Sequence, residues 1–142
     1  MSEATEYKWL RQRVFPSPAR CQRIETLIGL GIPDVNVCVP PGREFWIEIK
    51  SPTEPKRPGS AMIGGRCHPL SVDQKNFFLA QRRAGGRAYL WVGSDKRRLL
   101  LPGELADQFN EMTVAQMVDA ALWHCPHTEK PNIQELIQWF KR

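Results

Sequence analysis

Gly31-Ile32-Pro33-Asp34-Val35-Asn36-Val37-Cys38-Val39 and, after Pro40-Pro41-Gly42-Arg43, Phe45-Trp46-Ile47-Glu48-Ile49-Lys50 decide how this chain reads. Val35, Val37 and Val39 alternate with Asp34, Asn36 and Cys38, the period-two pattern of a half-buried strand. Phe45, Ile47 and Ile49 alternate with Trp46, Glu48 and Lys50 in a second strand. Side chains two residues apart share a strand face, so Glu48 and Lys50 stand together, opposite an apolar face. Pro40-Pro41-Gly42-Arg43 is a turn signal. If the hairpin folds about Pro41, Asp34 falls roughly opposite Glu48, where Cβ atoms lie about 4.5–5.5 Å apart. Two carboxylates that close repel unless a cation sits between them. A hard divalent ion such as Mg²⁺ takes oxygen ligands and keeps several waters. A one-residue slip of register would send one acid to the wrong face.

The strings G-I-P-D and W-I-E-I-K resemble the PD-(D/E)-x-K nuclease superfamily, and within it the small Holliday-junction-resolvase and VRR-NUC type enzymes, many of them from phages. The resemblance covers roughly residues 20–93. It implies an α/β fold: a mixed central β-sheet flanked by helices, with a restriction-endonuclease-like αβββαβ core. It also implies a metal-dependent DNA endonuclease, selective for branched DNA such as Holliday junctions. The rivals are a nuclease for linear duplex and a DNA-binding module that does not cut. Asp34 and Glu48 would be side-chain ligands of Mg²⁺, with Mn²⁺ able to substitute. The resemblance makes the Ile49 carbonyl a third ligand. Lys50 would orient the attacking water and stabilise charge on the phosphate. Gln74 matches a glutamine that similar resolvases carry near this lysine; it also suits the N3 position of a capping box. A further acid is implied. Glu6 would match an acid from the N-terminal helix, with Glu3 close by, whereas Glu25 sits nearer the motif; spacing does not choose among them.

The rest of the chain fits around this centre. The 142 residues make one ordinary domain, read as a core of about 20–93 and a helical extension of about 103–142. A hydrophobic fraction of 42% excludes a disordered chain. No apolar run reaches the roughly 18 residues of a membrane span. The N-terminal Met1-Ser2-Glu3-Ala4-Thr5-Glu6 is acidic and has no apolar core, unlike a secretory signal. The expected setting is therefore cytoplasmic, in a bacterial cell or phage-encoded, with Cys21, Cys38, Cys67 and Cys125 as thiols. Cys67, His68, His124, Cys125 and His127 match no standard zinc spacing. A net charge of +5 suits a polyanionic partner. The basic residues cluster as Arg20 and Arg23; Lys56, Arg57 and Arg66; Arg82, Arg83 and Arg87; and Lys96, Arg97 and Arg98.

Tyr7, Leu10 and Val14 share one face of a helix from Ser2 to about Val14, ended by Pro16. A strand is expected over Arg20–Ile28. The proline-rich stretch from Ser51 to Pro69 reads either as a flap over the site or as a connector. Ser71-Val72-Asp73-Gln74 begins a helix that runs to about Ala84, and Arg87–Gly93 follows as a strand. Leu99-Leu100-Leu101 is an added strand or a short buried segment. Thr113 and Asn132 open two more helices, both with capping boxes. Trp123, Ile133, Ile137, Trp139 and Phe140 supply apolar surface for a homodimer or simply cap the core.

Overall fold

The computed structural model describes residues 2–24 and 31–142. Helix α1 (Glu3–Trp9) starts at Ser2, whose hydroxyl accepts the Thr5 N–H at 3.1 Å. The helix expected to reach Val14 widens into a π-turn over Leu10–Val14, closed by the Phe15 N–H on the Leu10 carbonyl at 2.9 Å. The wider turn sets Leu10, Val14 and Phe15 all into the core. It stops before Pro16, whose ring disfavours helical backbone in the preceding residue.

Six strands lie side by side in chain order: β1 (Arg20–Arg23), β2 (Val35–Val39), β3 (Arg43–Lys50), β4 (Ala88–Gly93), β5 (Arg97–Pro102) and β6 (Trp123–Pro126). Strands β3 and β4 are parallel; the other neighbours are antiparallel. A parallel neighbour requires a crossover, and helix α2 (Val72–Arg83) supplies it. The architecture is thus the expected α/β one, a mixed sheet with helices on both faces. Val35 pairs with Ile47 and Val39 with Arg43, the register of a hairpin centred on Pro41. Gly42 closes that turn at φ 111°, a conformation that suits glycine.

Both faces of the sheet are covered. Val35, Val37, Phe45, Ile47, Ile49, Trp91 and Leu100 pack against α1, the π-turn and helix α4 (Ile133–Phe140). Leu90, Val92, Leu99 and Leu101 pack on the opposite face with Phe78 of α2, Met117 of helix α3 (Val114–Ala120), and Met62, Ile63 and Leu70. Leu99, Leu100 and Leu101 therefore serve two cores from one strand, which settles them as a strand rather than a loose segment.

Two expectations need correction, the helical extension and the Asn132 capping box, and two open readings narrow. The region after residue 103 is not purely helical, because β6 runs between α3 and α4 and pairs with β5. It is a four-residue edge strand ending at a proline, a pattern too short to announce itself. The 51–69 stretch is no loose connector. Its Met62 N–H donates to the Met112 carbonyl at 2.8 Å, Ala61 bridges Thr113, and Leu70 exchanges two hydrogen bonds with the Asn110 side chain. Glu54 is buried against Arg97 and Ser94. The apolar surface offered for a homodimer is largely spent: Trp123 and Phe140 are buried, while Ile137 and Trp139 pack on the same core. Val72 is the large apolar side chain most exposed among the described residues. At Asn132 the Glu135 side chain meets the cap's side chain rather than its backbone, so the capping box there is incomplete.

Candidate active site

The arrangement around β3 follows from the hairpin register and from one missing N–H. Extending the β2–β3 pairing past Val35 sets Asp34 against Glu48 and Pro33 against Ile49. Ile49 directs its N–H and carbonyl toward β2, as opposed residues of an antiparallel pair do. Its N–H is taken by Asp34 Oδ2 at 2.9 Å. Proline has no N–H to return, so the Ile49 carbonyl gets no ladder bond from Pro33. Gly31 holds this turn against α2. Its φ is 74°, and a Cβ there would collide with the Asp73 carbonyl and the Gln74 N–H. The glycine lets the chain before Asp34 lie directly on the first turn of α2.

That first turn delivers Gln74, which completes the expected capping box and also reaches the Glu48 carboxylate. Its Oε1 accepts the Ser71 N–H at 2.9 Å, completing the capping box, while its Nε2 donates to Glu48 Oε2 at 3.1 Å. The amide can do both because it carries an acceptor at one end and donors at the other. Lys50 Nζ lies 3.5 Å from the same Glu48 oxygen.

An exposed Glu–Lys pair on a strand would be an ordinary solvated pair. Here Glu48 is 2% and Lys50 4% exposed. The remaining carboxylate oxygen, Glu48 Oε1, is buried without a hydrogen-bond partner. Burial, and after it the charge of Asp34, push the Glu48 carboxyl up to about 8, against the pull of Lys50. A buried carboxylate with an unpartnered oxygen and a like charge beside it is costly, and a proton or a cation relieves it. No group of three or more His, Cys, Asp or Glu side chains that could hold a metal exists among the described residues. Two carboxylates and a backbone carbonyl to which Pro33 cannot donate still fit an ion that keeps most of its waters, as Mg²⁺ does.

Of the two acids on the N-terminal helix, Glu3 is the one on the cluster's side. Burial and then Asp34 raise the Glu3 carboxyl, and Lys50, Arg23 and His68 oppose the rise, so Glu3 lies within electrostatic reach of the cluster. Glu6, one turn on, is committed elsewhere. It is fully buried, accepts the Trp91 indole N–H at 3.1 Å, and takes a two-pronged contact from Arg98 at 2.9 and 3.1 Å. Glu6 therefore pins α1 to the sheet. In the sequence the two acids look equivalent; only the Trp91 and Arg98 partners, some 90 residues away, separate them. Glu25 lies outside the described residues.

Several of the clustered cations are structural. Arg97 pairs with Glu54, Arg98 with Glu6, and Arg87 donates to the Phe140 and Arg142 carbonyls. Arg20 pairs with Glu44 at the surface. Lys56, Arg57, Arg66, Arg82 and Arg83 are exposed. Beside the cluster, a cleft of about 420 Å³ runs between Ser2 and Glu3 on one side and residues 64–68 on the other, with Ser51, next to Lys50, also in its lining.

No protein-family model matches the chain, and neither does any curated protein. Among solved structures the chain is similar to that of Archaeoglobus fulgidus Hjc, a Holliday junction resolvase from an archaeal hyperthermophile. The identity is 15%, the TM-score is 0.57, and the match covers 83% of this chain and 91% of that one. The likeness is one of fold.

Proposed function

We propose that this chain is a divalent-metal-dependent DNA endonuclease of the PD-(D/E)-x-K type, structure-selective for branched DNA such as a four-way junction. The observation that carries the reading is the buried cluster itself: Asp34, Glu48 and Lys50 with Gln74 upon them, and one Glu48 oxygen left without a partner. A buried carboxyl displaced by burial and by a neighbouring like charge marks a candidate functional site. The resolvase fold supports the choice of branched DNA, and a relation to VRR-NUC and phage nucleases belongs to the same proposal. So do a cytoplasmic setting and a homodimer, whose two-fold symmetry would match paired cuts in a junction.

Asp34, Glu48 and the Ile49 carbonyl would hold Mg²⁺ or Mn²⁺. When bound, such an ion supplies Lewis-acid stabilisation of a phosphate and activation of a water. Lys50, held by Glu48, places a positive charge where the phosphate gains negative charge and offers a hydrogen bond to the attacking water. Gln74 holds one oxygen of the Glu48 carboxylate and leaves the other for the ion. Glu3 replaces Glu6 as the acid that α1 brings.

Labelled linear, flapped and four-way-junction DNAs, incubated with Mg²⁺, test the reading. Junctions should be cut in symmetric pairs, faster than linear duplex. Mn²⁺ should substitute, while Ca²⁺ should support binding alone, because it tolerates looser geometry and more ligands. Binding without cleavage under every metal would leave a DNA-binding module instead.

A further inference from the structure

The cleft beside Glu3 has a wall that no part of the cluster uses. Residues 64–68 form an arch whose two ends are fixed. Met62 and Ile63 are buried at one end, with Met62 tied to Met112; Leu70 is buried at the other, clipped twice to Asn110. Between them the Cys67 N–H turns back onto the Gly64 carbonyl at 3.1 Å, and Gly65 takes a φ of 59°. The arch therefore presents Arg66 and His68 from a short, anchored span. Both are exposed and both line the cleft. His68 acts on the Glu3 carboxyl, and Lys50 acts on the Cys67 thiol, which puts the arch within electrostatic reach of the acids and lysine of the cluster.

Charge makes the same point. Arg87, Arg97 and Arg98 are committed to acids or to helix-end carbonyls, whereas Arg66, like the exposed Arg57, Arg82 and Arg83, has no acidic partner among the described residues, and of these four it is Arg66 that lines this cleft. An arginine facing a cleft from a fixed backbone, without a counter-ion, is arranged for an anion. The cleft's volume is that of a small ligand site. Pro55, Ala61 and Met62 give it apolar lining next to the cations, a mixture that suits a sugar or base beside a phosphate.

We infer that this cleft is a subsite for the nucleotide next to the scissile phosphate, with that nucleotide's own phosphate held by Arg66 and His68. The inference rests on the nuclease reading and adds a source of selectivity to it. A nucleotide that enters a cleft of this size must leave the base stack, and leaving is easiest where stacking is already broken, as at a branch point. Glu3, on the opposite wall, repels the phosphate toward the arginine.

The test is fluorescence anisotropy of a dye-labelled four-way junction and of a linear duplex in EDTA across a KCl series, with the chain as it stands and as R66A, R66K and H68A. R66A should weaken junction binding about tenfold and reduce the slope of log K against log salt by about one. R66K should restore most of the slope, and melting temperatures should not move. With Mg²⁺, R66A should raise KM for the junction while kcat stays near that of the unaltered chain, and the preference for junction over duplex should shrink. Unchanged affinity and salt slope in R66A, in a chain that still cuts junctions, would overturn the subsite and leave the nuclease standing. An unaltered chain that neither binds nor cuts any of these DNAs would overturn both.

Discussion

Replacing Glu48 by glutamine should stabilise the metal-free fold at alkaline pH while abolishing catalysis. Glutamine is the shape of the protonated acid, so the variant keeps the Gln74 contact region filled and removes only the charge. The carboxyl is displaced from 4.5 to about 8 by burial and by Asp34. A group raised in the folded state lends stability that is fully present below its unfolded value and is lost as pH climbs through the folded one. At about 1.4 kcal/mol per pH unit, the displacement sets a ceiling of about 5 kcal/mol on that loss. Relaxation around the site brings the expected loss to about 2–4 kcal/mol between pH 4.5 and 8.5. Urea unfolding in EDTA at those two pH values measures it. The unaltered chain should lose most of this amount, E48Q should lose little, and the two should agree at pH 4.5. Millimolar Mg²⁺ should then restore the unaltered chain at pH 8.5 by mass action and do nothing for E48Q. Parallel pH profiles for the two proteins would refute the reasoning, because Glu48 would then ionise as easily in the fold as in the unfolded chain.

Other expectations follow from single residues. Lys50→Ala should lower kcat about 10²–10⁴-fold while calorimetry still detects metal binding; loss of the metal with only a mild loss of rate would make Lys50 structural. Gly31→Ala should cost about 2–4 kcal/mol in chemical unfolding, since it adds left-handed strain and a collision with the start of α2. Glu6→Gln should lower stability by about 2–3 kcal/mol by stranding Arg98, with junction cleavage at permissive temperature retained; selective loss of cleavage would return Glu6 to the site. Light scattering at micromolar concentration should give about twice the 16.3 kDa chain mass if the protein acts as a dimer.

Much of the centre was legible because it is local. The valine alternation and the proline turn determine the β2–β3 register, and the register alone sets Asp34 opposite Glu48. The capping-box spelling of Ser71 to Gln74 likewise predicts where α2 begins. What escaped depends on partners far along the chain. The role of Glu6 is set by Trp91 and Arg98, and nothing near residue 6 records them. The proline-rich stretch looks unstructured because its anchors, Met112, Asn110 and Arg97, lie 40 or more residues away and bind through backbone groups and a few buried side chains. The burial of Lys50 is invisible for a similar reason: alternation marks its face as polar, but the second face of the sheet is closed by elements that come later in the sequence.

One side chain joins the start of α2 to the carboxylate of β3, which ties the helix to whatever occupies the site. Gln74 holds the Ser71 N–H with one end of its amide and Glu48 with the other. A cation that draws the Glu48 oxygens to itself competes for the Oε2 lone pairs that now receive Gln74. The amide must then turn or find a new acceptor, and its grip on the cap changes with it. The Ser71 and Gln74 backbone amides thus form a built-in reporter, whose hydrogen-exchange rates would register occupancy of the site with no label and no substrate.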